Sequence, residues 1–340
     1  MSTVFVGLSG GVDSAVSAAL LKIAGYEVVG AFIKIWRPEF IDCPWQKDRL
    51  DAMRVATALE IPFKEIDLSE EYKKAVIDDM VAKYARGITP NPDVLCNRHI
   101  KFGAFAAWAF KNGADFVATG HYARTIDNKL HRGKDTNKDQ SYFLWQLTEK
   151  DLSRALFPVG GLTKPEVRSL AQKFNLPVAQ KADSQGLCFV GDVTMHDFLS
   201  HYISLKKGRV LNEQGTLIGE HDGAALYTLG ERRGVRFFQK TAHAVPQYVS
   251  AIDTKANTVT VSPMREKAAR SSSTLIDTNW IVKPEPGVTY TAQARYRETP
   301  RECTIDGAVV RFKEPHLLPP GQSLVIYDGD LVVGGGVIEA

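Results

Sequence analysis

The stretch Val4–Leu21, VFVGLSGGVDSAVSAALL, constrains the fold more than any other part of the chain. Four of the five residues Val4–Leu8 are apolar, as in a strand buried within a parallel sheet. Two adjacent glycines, a carboxylate and a serine follow, and then Ala15, Ala18, Ala19 and Leu21 recur at helical spacing. The pattern is strand, tight turn, helix. The turn Ser9-Gly10-Gly11-Val12-Asp13-Ser14 leaves backbone N–H groups at a helix N-terminus, where free donors and the helix dipole favour a polyanion. Adjacent glycines permit positive φ and let the main chain approach a phosphate without a clashing Cβ.

The spelling of this loop narrows its chemistry. A Walker A loop requires G-x-x-x-x-G-K-[ST], and no lysine precedes Ser14. A dinucleotide fingerprint requires G-x-G-x-x-G, which Gly7-Leu8-Ser9-Gly10-Gly11 does not supply. What remains resembles the SGGxDS loop of the N-type ATP pyrophosphatases, which split ATP into AMP and pyrophosphate to adenylate a substrate oxygen. The alternative is a glycine-rich strand-to-helix turn with no ligand.

Strands and helices continue to alternate. Glu27–Lys34 and Pro62–Asp67 read as strands and Gln46–Leu59 as a helix. A further helix starts at Ser69, its N-cap, and runs to about Arg86, where Gly87 stops it. Asp115–Thr119 is another strand, with Gly120 and His121 at its end. The alternation predicts a doubly wound parallel sheet whose ligands sit at the carboxyl ends of the strands. Ile33 either flanks an adenine there or is an ordinary core residue.

Between these elements, Gly87–Arg98 (GITPNPDVLCNR) reads as a stiff loop, because Pro90 and Pro92 hold Thr89 and Asn91 extended. It places Asp93 and Cys96 just ahead of a helix over Ile100–Lys111. A cysteine near a helix N-terminus with Arg98, His99 and Lys101 nearby is expected to have a lowered pKa, and Asp93 beside it is a candidate general acid or base. A buried packing cysteine fits the same residues. Ala123–Arg132 reads as a hairpin turning at Asp127-Asn128, Gly133–Gln140 as polar and exposed, and Thr163 with Glu166 as a capping box. Cys188 falls in the Gly-containing loop Ala182–Phe189, 92 residues from Cys96, and the two thiols pair only if the fold unites them.

At 340 residues the chain should divide into two or three domains, and we expect 1–197, 198–266 and 267–340. Beyond about His196 the helix/strand alternation ends. Lys206, Lys207, Arg209, Arg232, Arg233, Arg236 and Lys240 give the middle segment a basic character, with Tyr248–Ile252 and Thr258–Val261 as strands. From Ser271 onward short strands alternate with Gly/Pro turns: Thr274–Ile281, Thr289–Arg295, Ala308–Phe312, Ser323–Tyr327 and Leu331–Ile338. With Asp328-Gly329 as a hairpin turn, this spacing predicts a small closed barrel. Arg295, Tyr296, Arg297 and Arg301 interleave an aromatic with cations, as an RNA-contacting edge would. The net charge of +3 confines nucleic-acid binding to such local patches. Cys43, Cys96, Cys188 and Cys303 are spaced neither as a disulfide framework nor as a zinc site, and Cys303 reads as packing. No apolar run approaches the ~18 residues of a membrane span. MSTVFVGL enters a strand directly, so the expected location is the cytoplasm.

The motifs SGGVDS, TPNPDVLCN, ATGHYAR, KDQSYFLWQL, ADSQGLCF and YTLGERRG stand in the order seen in the bacterial tRNA-specific 2-thiouridylases, and the chain resembles that family from end to end. The resemblance implies ATP- and Mg²⁺-dependent thiolation of C2 of the wobble uridine of tRNA, position 34, with release of AMP and pyrophosphate. It implies an ATP site at Gly7, Leu8, Ser9, Gly10, Gly11, Val12, Asp13, Ser14, Ile33 and Gly120. Cys188 matches the cysteine carrying sulfur as a persulfide, Cys96 the nucleophile that releases it as the two form a disulfide, and Asp93 the acid/base. Asn91-Pro92-Asp93 matches the segment facing the target base. His121, Lys138, Asp139, Gln140, Arg295, Tyr296 and Gln322 match positions set against tRNA. A sulfur-donor protein (a cysteine desulfurase or sulfur-relay protein), no membrane and action as a monomer complete the expectation. Glu231 departs from the family pattern Y-T-x-G-Q-R-x-G, and Ile33 stands where methionine is more usual. An amide-forming ATP pyrophosphatase is the nearest rival, but it has no use for Cys96 with Cys188. An RNA-binding protein with a vestigial loop is the rival of another class.

Overall fold

The computed structural model describes residues 1–40, 45–182, 193–232, 234–239 and 245–339. In its first half, β1 (Thr3–Gly7), β2 (Glu27–Lys34), β3 (Phe63–Asp67) and β4 (Phe116–Ala118) precede a hairpin, β5 (Ala123–Ile126) and β6 (Lys129–Arg132), and the short β7 (Ala155–Leu156). All but the hairpin form one parallel sheet in the order β3-β2-β1-β4-β7. Side chains alternate across it. Val4, Val6 and Val28 face Ala15, Val16, Val55 and Val167, whereas Phe5, Val29 and Val117 face Tyr72, Ile77, Ile100 and Phe105. A sheet apolar on both faces must be covered on both, which is the expected doubly wound arrangement. Strand order reverses between β1 and β4, and that switch point opens a crevice at their carboxyl ends.

The helices are α1 (Val12–Ile23), α2 (Trp45–Ala58), α3 (Ser69–Tyr72), α4 (Asp79–Ala85), α5 (Pro92–Leu95), α6 (Phe105–Lys111), α7 (Glu149–Leu152), α8 (Lys164–Lys173) and α9 (Met195–Ser200). A π-helical stretch, Lys73–Asp78, joins α3 to α4, and a second, Cys96–Ala104, joins α5 to α6. Two expectations are corrected here. Ser69 lies inside the first turn of α3, and its N–H is taken instead by Asp67 Oδ1 at 3.0 Å. The segment before Ile100 is a helix from Pro92 onward. Pro92 occupies the first turn, where a missing N–H costs nothing, and Asn91 Oδ1 accepts the Val94 N–H at 3.4 Å. Gly87 ends α4 as expected, at φ +73°.

The middle segment is a mixed sheet of β8 (Gly208–Leu211), β9 (Leu217–His221), β10 (Arg236–Phe237), β11 (Tyr248–Asp253) and β12 (Thr258–Ser262), ordered β10-β9-β8-β12-β11. Only β8 and β12 run parallel among its described pairs. The last segment comprises β13 (Ala269–Trp280), β14 (Tyr290–Gln293), β15 (Arg301–Asp306), β16 (Val309–Leu317), β17 (Ser323–Asp328) and β18 (Leu331–Ile338). These antiparallel strands follow the order β13-β16-β15-β14-β17-β18 and close through β13–β18, giving the expected barrel. The β17–β18 loop is Gly329-Asp330, one residue later than expected, because Asp328 pairs with Leu331 and Gly329 supplies φ +55°.

The hairpin turns at Asp127 and Asn128, φ +49° and +57°, as expected of two residues in the left-handed region. Its destination was not legible: β6 adds to the barrel at β18 through His131 and Leu331. Arg124 pairs with Asp330 at 2.8 Å, and the Tyr142 hydroxyl donates to the carbonyls of Ala294 (3.1 Å) and Ser323 (2.9 Å). One apolar core therefore unites Leu130, Tyr142 and Trp145 with Val325, Tyr327 and Val332. Among the described residues no helix is long and apolar enough to cross a membrane.

Candidate active site

The crevice between β1 and β4 is floored by the glycine turn. Helix α1 begins at Val12, so Asp13 and Ser14 lie in its first turn, and its N-cap Gly11 offers no side chain to the leading N–H groups. Leu8 and Val12 are buried in the core, which leaves backbone as their only offering to a ligand. Gly10 takes φ +73°, and a Cβ there would stand 2.3 Å from the Asp48 carbonyl oxygen. Gly120, at the end of β4, packs on the turn itself: a Cβ would sit 2.7 Å from the Ser14 nitrogen. Ser9 and Ser14 hydroxyls lie 3.2 Å apart, and Ile33 Cδ1 would lie 3.8 Å from a Cβ at Gly7. The segment expected to hold ATP is thus one contiguous surface around the α1 N-terminus.

Two lysines that the sequence reading did not single out surround this turn. Lys164 Nζ bonds both Asp13 carboxylate oxygens, at 2.7 and 2.9 Å, and the Tyr122 hydroxyl donates to the same carboxylate at 2.8 Å. Lys181 Nζ donates to the Gly10 carbonyl (3.0 Å), Asp48 (2.9 Å) and Asp51 (2.8 Å). Burial opposes charge on both Asp51 and Lys181. Burial is the largest single influence on each, but the hydrogen bonds and charges of several partners together outweigh it (Lys181 and Arg54 for Asp51, Asp48 and Asp51 for Lys181), so the carboxyl is held below its usual range and the amine above. The cation missing from the loop's own spelling arrives from 151 and 171 residues away. No local pattern announces either lysine; Lys164 merely opens α8.

On the other side of the sheet lie Asn91, Pro92, Asp93 and Cys96. Cys96 is 7% exposed within the core that holds Val94, Ile100 and Phe102. Asp93 is half-buried, and burial pushes its carboxyl up despite nearby Lys101. Two of the three basic residues expected around Cys96 have other partners, Arg98 pairing with Asp151 at 2.8 Å and Lys101 Nζ reaching His121 Nε2 at 3.4 Å, and burial lowers the pKa of the third, His99. An ammonium only donates, so Nε2 accepts and the ring proton sits on Nδ1, 2.7 Å from Thr119 Oγ1. Burial holds His121 neutral, well below its ordinary pKa. Cys188 and Cys43 lie outside the described residues, and so does Arg233.

The residues expected to face tRNA are mostly tied into the protein. Asp139 accepts from Arg132 (3.0 Å), the Gly133 N–H (2.9 Å) and the Ser141 hydroxyl (3.1 Å), and Gln140 Oε1 accepts the Tyr122 N–H (3.0 Å). The stretch Gly133–Gln140 is therefore exposed at Lys134, Thr136 and Asn137, as expected, but anchored at its ends, with the Asp139 charge paired to Arg132. Lys138 lines a cavity of about 480 Å³ with Arg132, Asn137 and Arg297. Arg295 donates to the Leu229 carbonyl at 2.7 Å, and Tyr296 packs on Phe143 with ring centres 4.6 Å apart. Gln322 Nε2 donates to the carbonyls of Thr89 (2.8 Å) and Pro90 (3.0 Å). Glu231 accepts the Thr228 N–H at 3.0 Å, and burial raises its pKa.

Comparison with known proteins places the whole chain. Residues 2–192 match the family model described as tRNA methyl transferase HUP domain. Residues 196–263 match the tRNA methyl transferase PRC-barrel domain, and 270–338 the aminomethyltransferase beta-barrel domain. The tRNA-specific 2-thiouridylase MnmA of Nitrosomonas eutropha is 42% identical over 99% of this chain and 98% of its own. That of Thiobacillus denitrificans is 43% identical over 99% and 100%, and that of Akkermansia muciniphila 42% over 100% and 99%. Because the likeness runs through parallel sheet, mixed sheet and barrel alike, the chain belongs to the family of tRNA-specific 2-thiouridylases.

Proposed function

We propose that this chain transfers sulfur to C2 of the wobble uridine of tRNA, position 34, consuming ATP and releasing AMP and pyrophosphate. The observation that carries the reading is a single run of contacts. Gly120 packs on the Ser14 backbone, and the next residue, His121, reaches Lys101 on the helix that carries Asp93 and Cys96. These contacts link the glycine turn to the helix that carries the buried cysteine.

In this reading the N–H groups of the Ser9–Ser14 turn would face the ATP phosphates, with Lys164 and Lys181 offsetting their charge, and Asp13, whose carboxylate here pairs with Lys164, would be the loop's hard oxygen donor to a Mg²⁺ ion that would neutralise the departing pyrophosphate. The uridine C2 oxygen attacks the α-phosphate and pyrophosphate leaves, which converts a poor leaving group into AMP. The terminal sulfur of a Cys188 persulfide then attacks C2 and AMP departs. Cys96 attacks Sγ of Cys188, forming the Cys96–Cys188 disulfide and freeing 2-thiouridine; two electrons from a thiol reductant reopen the pair. Asp93, its pKa raised by burial, exchanges the proton. The base must leave its stack to be reached, which costs a few kcal/mol, least in a single-stranded loop. A sulfur-donor protein recharges Cys188, and the enzyme acts as a cytoplasmic monomer with domain boundaries near 197 and 266.

Incubating the protein with ATP, a sulfur donor and bulk tRNA, followed by nucleoside mass spectrometry, tests this. A 2-thiouridine peak is expected from the wild type, and Cys188→Ser should abolish it while ATP still binds. Thiolation by that variant at the wild-type rate, or none by the wild type, overturns the reading.

A further inference from the structure

Resting on that reading, we propose that Glu298 is a positioning residue for tRNA: its carboxylate builds the turn that presents Arg295, Tyr296 and Arg297, so that an acid strengthens the grip on a polyanion it would otherwise repel. The strand before the turn cannot build it. β14 ends at Gln293, and the next two N–H groups lie past the sheet ladder. One oxygen of Glu298, Oε2, accepts both, from Ala294 at 3.1 Å and from Arg295 at 3.1 Å. His316, buried on β16, sets Nε2 3.2 Å from the same oxygen. Burial opposes the charge on Glu298, but His316, the Ala294 N–H and Arg295 together outweigh it, and the carboxyl is held below its ordinary value.

The turn requires such a hold. The Glu298 N–H donates to the Arg295 carbonyl at 3.2 Å, and between them Arg297 takes φ +60°, a left-handed conformation in which an arginine persists only when its surroundings enforce it. Gln293 Nε2 donates to the Glu298 carbonyl, and Gln293 Oε1 in turn accepts from Arg132 at 3.0 Å. The side chains leave the turn in different directions. Arg295 donates to the Leu229 carbonyl at 2.7 Å, Tyr296 packs on Phe143, and the exposed Arg297 lies 5.0 Å from the Tyr296 ring centre. Arg297 also lines, with Arg132 and Lys138, the cavity of about 480 Å³, and Glu298 is the one acid among its described lining residues. An acid in a cationic wall weakens the attraction for phosphate unless it has another task. The two N–H groups are that task.

Replacing Glu298 separates the two effects by sign. As a charge alone, its loss would tighten tRNA binding about twofold, the Coulomb value for a phosphate ~10 Å away in water. As the acceptor that builds the turn, its loss weakens binding. Glu298→Gln retains an oxygen for both N–H groups, so the tRNA Kd should stay within about threefold of wild type. Glu298→Met keeps the bulk and removes the acceptor, and should weaken that Kd about tenfold or more, with the ATP Kd within about twofold of wild type. Hydrogen–deuterium exchange of a peptide spanning 290–300, measured without tRNA, should rise in the same variant. Glu298→Ala, checked for an unchanged circular-dichroism spectrum, provides a second variant without the acceptor. A Met or Ala variant that binds tRNA as tightly as wild type or tighter, or a Gln variant that loses as much as they do, overturns the proposal. A wild type that does not bind tRNA would instead refute the underlying reading, and the exchange measurement would still decide whether Glu298 holds the turn.

Discussion

Replacing Gly120 with alanine probes the packing on which the candidate site depends. The backbone conformation there is open to any residue, so the added methyl acts through contact alone. It would stand 2.7 Å from the Ser14 nitrogen and 2.8 Å from the Asp13 carbonyl carbon, and to reach 3.4 Å the turn must retreat by about 0.7 Å. Neither neighbour is a side-chain tip that can swing aside; both are backbone at the start of α1. Overpacking of this kind costs about 1–3 kcal/mol. For a domain of this size that corresponds to a fall in Tm of roughly 2–12 °C. The functional loss should exceed the structural one, because a displacement approaching 1 Å is enough to cost about 10²-fold where reacting groups are positioned. Thermal unfolding, ATP titration and single-turnover thiolation at saturating tRNA make the comparison. A variant with unchanged Tm, unchanged ATP affinity and unchanged rate would show that β4 does not support the phosphate turn.

Two further outcomes are expected. Cys303 is 2% exposed in the barrel core and burial pushes its thiol up to about 12, so at pH 8 only about one molecule in 10⁴ carries the thiolate; iodoacetamide should leave it unmodified in the folded protein, and Cys303→Ala should lower Tm while thiolation persists. Glu166 accepts the Thr163 N–H, its hydroxyl and the Lys134 ammonium, which lowers its pKa to about 2. The fold prefers the ionised form, so its stabilisation is complete above the ordinary value of 4.5 and fades as pH falls toward 2. Glu166→Gln should therefore unfold at lower urea than wild type at pH 7, with the two curves converging as the pH is lowered through that window.

The parallel sheet was legible because burial on both faces demands unbroken apolar runs, and EVVGAFIK marks β2 to the residue. Other strands were not. β7 has two residues, and β15, RECTID, hides its inward Cys303 and Ile305 among charges that point to solvent. The segment 91–95 was misread for a different reason: its prolines signal a loop unless one of them stands in a first turn behind an asparagine cap. In the candidate site, the residues carried by contiguous motifs, Ser9–Ser14 and Asn91–Cys96, could be named from sequence. Lys164 and Lys181 could not, since their chemistry exists only after residues more than 150 positions apart meet. The polar run Gly133–Gln140 reads as exposed because charge usually means solvent, and Lys134, Thr136 and Asn137 are exposed; Asp139 departs from that, drawn inward by its pair with Arg132.

The core that joins Tyr142 and Trp145 to the barrel sets a timetable for folding. Tyr142 and Ser323, its hydrogen-bond acceptor, are 181 residues apart. At a synthesis rate of about 5–20 residues per second, the nascent first domain waits roughly 10–35 s for the strands that cover these rings. During that interval its parallel sheet can assemble, but Leu130, Tyr142 and Trp145 lack the barrel residues Val325, Tyr327 and Val332 that complete their core. The growing chain therefore carries part of this core uncovered until late in translation, and the barrel closes over it last.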